Sequence, residues 1–290
     1  MSHLSEKMER GERVITAEIT PPKGAGVKKL LQHATLLKPH VDAINITDCQ
    51  RALVKMSSLA ACKVLLDNGV EPVYQLTCRD RNSIALQSDL MGAGALGIPN
   101  LLCLTGDPVK VGDQPNAKSV FEIESTQLLK LVGSLQKGRD QSAAKMNAPT
   151  KFFVGAVVNP VLTNESSQLK RMEKKIEAGA RFFQTQACYS VATFREFLKE
   201  AVPFRANVLA GILILHSLEI AQYLKANIPG VAMPDDVLSR LSAVGREAGI
   251  ELAVETMLGV ADLCQGFHLM TVREEEIIPE VLERYHARAR

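Results

Sequence analysis

Eight short apolar runs punctuate this chain at a nearly constant interval, and that recurrence limits the folds open to it more than any other feature. The runs are VITAEIT (14–20), DAINITD (42–48), PVYQLTC (72–78), NLLCLTG (100–106), KFFVGAVV (151–158), RFFQTQA (181–187), NVLAGIL (207–213) and GFHLMTV (266–272). Five of the seven intervals between their starts lie between 26 and 30 residues, enough for one strand and one crossover helix. The segments between them carry helical periodicity, as in Val27, Leu30, Leu31, Ala34 and Leu37, with polar residues opposite. Strands alternating with helices imply a parallel sheet, and eight such units favour a closed (β/α)8 (TIM) barrel over an open doubly wound sheet.

The two longer intervals hold insertions. In the 51-residue interval a Gly/Pro/Asp-rich excursion from Gly106 to Asn116 precedes a helix over about 124–136 and a polar linker. The 59-residue interval contains three helical patterns, one opening at Pro234, Asp235 and Asp236 with the residues favoured in a first turn. Composition does not break at either place. The expectation is one α/β domain, residues 1–290, a single barrel with extra helices between strands seven and eight.

Charge and composition narrow the function. With 34 Lys and Arg against 32 Asp and Glu, the chain lacks the basic excess that binding a phosphate backbone requires, so nucleic acid is not an expected partner. The charged start has no apolar h-region and no stretch is long enough to span a membrane, which makes a cytoplasmic location the expectation. Six cysteines, never closer than 13 positions, read as separate reduced thiols, and six histidines show no metal-ligand spacing; no metal is expected. There is no Trp and there are only 4 Tyr and 9 Phe, which points to a core built from aliphatic residues.

In a barrel, polar residues at the C-terminal ends of strands face the mouth where chemistry occurs. Glu18 stands between Ala17 and Ile19 in the first run. Burial there would raise its pKa and suit it to proton donation, whereas a structural ion pair with a neighbouring strand explains the same residue. Asp107 follows Gly106 at a strand end, either presenting charge to a ligand or completing a Gly-Asp-Pro turn. Gln184 and Gln186 share one face of the sixth run and suit either a polar ligand or an internal hydrogen-bond layer. His268 reads as a barrel histidine with its hydrogen bonds satisfied, and His216 as the one histidine suited to a role. Gly92 to Gly97 matches GxGxxG but follows a helix and precedes a strand, the reverse of a dinucleotide fingerprint.

Taken in order, these segments resemble the methylenetetrahydrofolate reductases. AEITPPK (17–23) is similar to the family's FEFFPPK, LTC (76–78) to HLTC, LTGD (104–107) to LRGD, EAGA (177–180) to DAGA, and Thr185-Gln186 to the TQ that follows; the match runs on through Gly211 to Leu213 and Phe267-His268. The resemblance implies a barrel that binds FAD, whose reduced form delivers hydride to 5,10-methylenetetrahydrofolate. Carried over by position, Glu18 is the general acid, Asp107 the carboxylate beside the flavin, and Gln186 and Arg273 folate contacts. Flavin contacts fall on Thr47, Gln75, Thr105, Gly106, Asp107, Phe121, Ala156, Gln168, Arg171, Lys174 and Lys175. Gln75 stands where many members have His and Thr105 where they have Arg, a pattern that looks like the anaerobe branch. The electron donor it implies is NAD(P)H, ferredoxin or a partner subunit, in a homo- or hetero-oligomer. Two other readings are a flavin-independent methyltransferase or lyase acting on a pterin, and an accessory subunit of a reductase complex.

Overall fold

The computed structural model describes residues 1–161, 165–227 and 233–289. Eight parallel strands close into a barrel in sequence order. They are β1 (Val14–Ile19), β2 (Ala43–Ile46), β3 (Pro72–Thr77), β4 (Asn100–Leu104), β5 (Phe153–Val158), β6 (Phe182–Thr185), β7 (Asn207–Leu213) and β8 (Gly266–Met270). Each apolar run contains one of them, so the architecture expected from their spacing is the one observed. The barrel closes where β8 pairs with β1, in a register that sets Val14 beside Gly266 and Thr16 beside His268.

Helices α2 (Lys28–Leu37), α3 (Ser58–Asp67), α4 (Ser83–Ala95), α5 (Ser125–Gln136), α6 (Glu165–Glu177) and α7 (Val191–Ala201) follow the first six strands. The long interval before β8 holds α8 (Leu218–Asn227), α9 (Asp235–Val244) and α10 (Arg246–Val260), and α11 (Ile277–Arg288) closes the ring. Local sequence sets the boundaries. Asn82 caps α4 by accepting the Ala85 N–H, and Glu124 with Gln127 forms a reciprocal capping box at the start of α5. Gly92 and Gly94 lie within α4 and Gly97 in the turn to β4, so the GxGxxG string is a helix-to-strand junction.

One element had no counterpart in the sequence reading. Helix α1 (His3–Glu9) is capped by Ser2 and packs Leu4 and Met8 against Val14, Ala43, Val73, Leu102, Phe182 and Leu209, closing the barrel from below. Its first N–H groups, from His3 and Leu4, donate to the Glu71 carboxylate at 2.8 and 3.0 Å, as a helix N-terminus favours.

The core falls into three clusters, and the aliphatic interior expected from composition is observed, refined by a few aromatic rings. Val, Ile, Leu and Ala dominate the larger layer between sheet and helices, joined by Phe183, Phe194, Phe197 and Phe267. Inside the barrel, Phe153 and Phe182 stack with centroids 5.1 Å apart. Gly155 makes that pair possible, since a Cβ there would lie 2.3 Å from the Phe182 ring. Above the pair the interior turns polar. Asn45 and Gln184 exchange amide hydrogen bonds of 2.9 and 3.1 Å between β2 and β6. Of the two roles open to Gln184, the internal hydrogen-bond layer is the one this pairing meets.

Candidate active site

Alternation along β1 puts Thr16 and Glu18 on the same face. That face is the barrel interior, because Glu18 reaches Gln75 on β3 in one direction and His268 on β8 in the other. Its Oε2 accepts the Gln75 Nε2–H at 2.9 Å and lies 3.6 Å from His268 Nε2. The other oxygen, Oε1, accepts from Gln50 Nε2 at 3.1 Å. His268 Nδ1 is 2.9 Å from the Thr16 hydroxyl, so the histidine touches both Thr16 and Glu18. Burial pushes the Glu18 carboxyl up, but His268, Gln75 and Gln50 together outweigh it and hold the group below its ordinary value. The raised acid expected from burial alone is therefore corrected to a carboxylate held ionised by three partners.

Gln50 belongs to a strained turn. Cys49, Arg51 and Ala52 have φ of 45°, 55° and 54°, a left-handed conformation that non-glycine residues rarely take. From this turn the Gln50 side chain reaches Glu18, while the Arg51 N–H donates to Asp107 Oδ2 at 2.9 Å. The two carboxylates singled out in the sequence are thus tied to consecutive residues of one turn. The Arg51 guanidinium lies over the Tyr223 ring, 5.2 Å from its centroid, and bonds its hydroxyl, anchoring the turn to α8. Beneath the turn, Asp48 accepts from Thr77 N and Oγ1 at 2.9 and 2.8 Å and pairs with Arg81 at 2.7 Å.

Several positions could hold a flavin. Thr47 continues the inward face of Asn45, and its Oγ1 is buried with no hydrogen-bond partner, an unmet polar group at the mouth. Gly106 has φ of 96°, and a Cβ there would lie 3.0 Å from both Thr77 and Arg79, so a bare backbone is required at that edge. Lys175 donates to Val157 O at 2.7 Å across the end of β5, where burial lowers its pKa. Gln168 is buried on α6, and Phe121 is half-buried with φ of 41°.

The other expected positions fall as follows. Gln75 is engaged with Glu18, and Thr105 accepts the Ser125 N–H at 3.2 Å where α5 begins. Ala156 packs in the layer between sheet and helices, leaving its backbone as the part able to face a ligand. Arg171 and Lys174 are exposed on α6. Gln186 is exposed just past β6, and Arg273, exposed with φ of 64°, lies beyond β8. His216 bonds Val272 O at 3.0 Å and its Nδ1 lies 2.7 Å from Glu274 Oε2, bracing the loop that carries Arg273. Burial raises the thiol of Cys78 to about 12 and that of Cys264 to about 11, which removes both as thiolate nucleophiles near neutral pH.

Sequence reasoning missed Gln50 and the contact of His268 with Glu18. The pairing register that brings His268 beside Thr16 is a property of barrel closure, and no local pattern announces it. A signal for the turn does exist in the polar pair Gln50-Arg51 directly after Thr47-Asp48 at a strand end.

Comparison with known proteins identifies the family and the fold. The family model described as methylenetetrahydrofolate reductase matches residues 3–286. Methylenetetrahydrofolate reductase 2 of Schizosaccharomyces pombe is 25% identical over 300 residues, covering 97% of this chain and 46% of its own length; the chain thus spans less than half of that relative. The 5,10-methylenetetrahydrofolate reductase of Buchnera aphidicola is 21% identical over 303 residues, covering 98% of this chain and 94% of its own. A Clostridium thermocellum protein solved with two copies of 5-methyl-5,6,7,8-tetrahydrofolic acid shares the fold, with a TM-score of 0.70 at 14% identity and coverage of 97% and 96%. Matched over nearly its whole length, the chain belongs to the methylenetetrahydrofolate reductase family.

Proposed function

We propose that the chain reduces 5,10-methylenetetrahydrofolate to 5-methyltetrahydrofolate using bound FAD. The observation that carries this reading is the strained turn after β2, which holds Glu18 through the Gln50 side chain and Asp107 through the Arg51 N–H. Family membership and the folate bound by the Clostridium thermocellum protein support the substrate class. When bound, the flavin supplies the hydride received by the methylene carbon of the substrate. Its holders would be the Thr47 hydroxyl, the Gly106 backbone, Gln168 and Lys175.

The chain's own residues do the rest. Opening the five-membered ring of the folate breaks a carbon–nitrogen bond at N10, and that nitrogen needs a proton as it leaves. Glu18 supplies it. A bound pterin excludes water from the mouth and pushes the carboxyl back up, and His268, braced by Thr16, lies where it can return a proton afterwards. Ring opening leaves a cationic iminium, which the fixed negative charge of Asp107 favours. Gln186 and Arg273, near the ends of β6 and β8, orient the folate.

The test is purification without added cofactor, followed by spectroscopy and identification of any released flavin. The expected protein is yellow, releases FAD and turns over methylenetetrahydrofolate under anaerobic conditions. Colourless protein that takes up no flavin overturns the reading. Bleaching of the bound flavin by NADH, NADPH or reduced ferredoxin, tried in turn, identifies the donor.

A further inference from the structure

On the outer face of the barrel, away from Glu18, His33 of α2 meets two glutamates from the start of α11. His33 Nδ1 lies 3.2 Å from Glu275 Oε2 and Nε2 lies 3.4 Å from Glu276 Oε1. Glu275 is only 8% exposed, and its Oε2 is buried and makes no hydrogen bond despite its closeness to the ring. Closeness without hydrogen-bond direction leaves this carboxylate oxygen desolvated and without a hydrogen bond, a costly state. Among the described residues no Lys or Arg pairs with either glutamate. The neighbouring Glu274 is already committed to His216 at 2.7 Å and Arg246 at 3.3 Å.

We propose that His33, Glu275 and Glu276 form a site for a divalent transition cation of the zinc class, fastening α2 to the loop between β8 and α11. Taken one per residue, their donor atoms all lie within 4.8 Å of one another. Donors at about 2.0–2.2 Å from a tetrahedral ion stand about 3.4 Å apart, so side-chain rotation must draw the three, now within 4.8 Å of one another, onto a common centre. An ion takes one nitrogen of the ring, and the carboxylate that now faces the other nitrogen turns about its side-chain torsions to join it. One imidazole and two carboxylates suit zinc, cobalt or manganese, with solvent completing the shell. The cation satisfies the orphaned Glu275 oxygen and offsets two carboxylates that otherwise share one histidine. It also ties down the loop bearing Arg273 at the seam where β8 meets β1.

The test uses the full-length protein stripped with a chelator and titrated with Co²⁺, then with Zn²⁺ in competition. The expected result is one cobalt per chain with visible d–d bands, no thiolate charge-transfer band, displacement by zinc and a higher thermal midpoint. Glu276→Gln, at an exposed position, and Glu275→Gln should each weaken binding about tenfold or more. His33→Ala should do the same where it folds; the Glu276 variant keeps the test decisive where it does not. Absence of stoichiometric binding, a thiolate band, or unchanged affinity in both glutamate variants overturns the proposal. In the first case the cluster is a histidine held between two carboxylates.

Discussion

Glu18 sits in opposing influences: burial disfavours its charge, while two amide donors and a histidine favour it. A carboxyl depressed in the folded state contributes stability above its unfolded value of about 4.5, and that contribution is lost as pH falls through the lower folded value. For catalysis the consequence is that kcat/KM, which reports the free enzyme, should rise as pH falls toward the carboxylate range. Removing one donor relaxes that demand. Gln50→Ala, at an exposed position, should shift the acidic limb of the kcat/KM profile to higher pH; an unmoved limb would show that another group supplies the proton. Thr47 gives a second residue-level prediction. Its buried hydroxyl has no partner, so Thr47→Val should leave the thermal midpoint of flavin-stripped protein unchanged or higher, yet weaken flavin binding about five- to tenfold, the worth of one hydrogen bond of about 1 kcal/mol. Fluorescence quenching on flavin titration reads it, and equal affinity would remove Thr47 from the flavin site. Glu18 was legible in the sequence because a charge inside an apolar run demands a reason. His268 was not legible as its partner, because the contact depends on strands that lie at opposite ends of the chain.

Among the elements, the turn after β2 concentrates backbone strain, with three positive-φ non-glycine residues within four positions. Left-handed conformations at Cys49, Arg51 and Ala52 cost on the order of 1 kcal/mol or more each. They persist because Gln50, Arg51 and Tyr223 hold the turn across the mouth. Ala52→Gly relieves part of this strain while removing only a methyl group. The expected outcome is a gain in stability of about 1 kcal/mol by chemical denaturation, together with a fall in kcat/KM as the turn loosens its hold on both carboxylates. A variant that gains stability and keeps full kcat/KM would separate the strain from the function. The excursion after β4 and the three helices before β8 could be read from composition and periodicity, since each spans enough residues to show a pattern. Helix α1 could not: seven residues carrying only a Ser cap and the Leu4 and Met8 pair are too few to display a period, and its role exists only once the barrel stands above it.

At the scale of the molecule, the barrel is divided between an apolar lower interior, plugged by α1 and the Phe153 and Phe182 stack, and a polar upper interior that leads to Glu18. The absence of Trp, read from composition as an aliphatic core, holds for most of the interior, and the two phenyl rings inside the barrel fit because β5 offers them Gly155. The same economy of space governs closure. At Gly266 a Cβ would stand 1.8 Å from Val14 O and 2.9 Å from Val14 N, both backbone atoms of β1. No side chain can rotate away to make room, so Gly266→Ala must push β8 from β1 at the seam that sets Thr16 against His268. The expected cost is about 3 kcal/mol, at the upper end of overpacking penalties, read from urea unfolding. Gly92→Ala, inside α4 with no atom within 4 Å of the added methyl, should instead stabilise by about 0.5–1 kcal/mol. Where Gly266→Ala still folds, it should lose turnover beyond its loss of stability, because the displaced seam moves His268 away from Glu18. Two glycine variants with equal stability would mean that the seam yields, and that the register at β8 and β1 is not what holds the histidine against the acid.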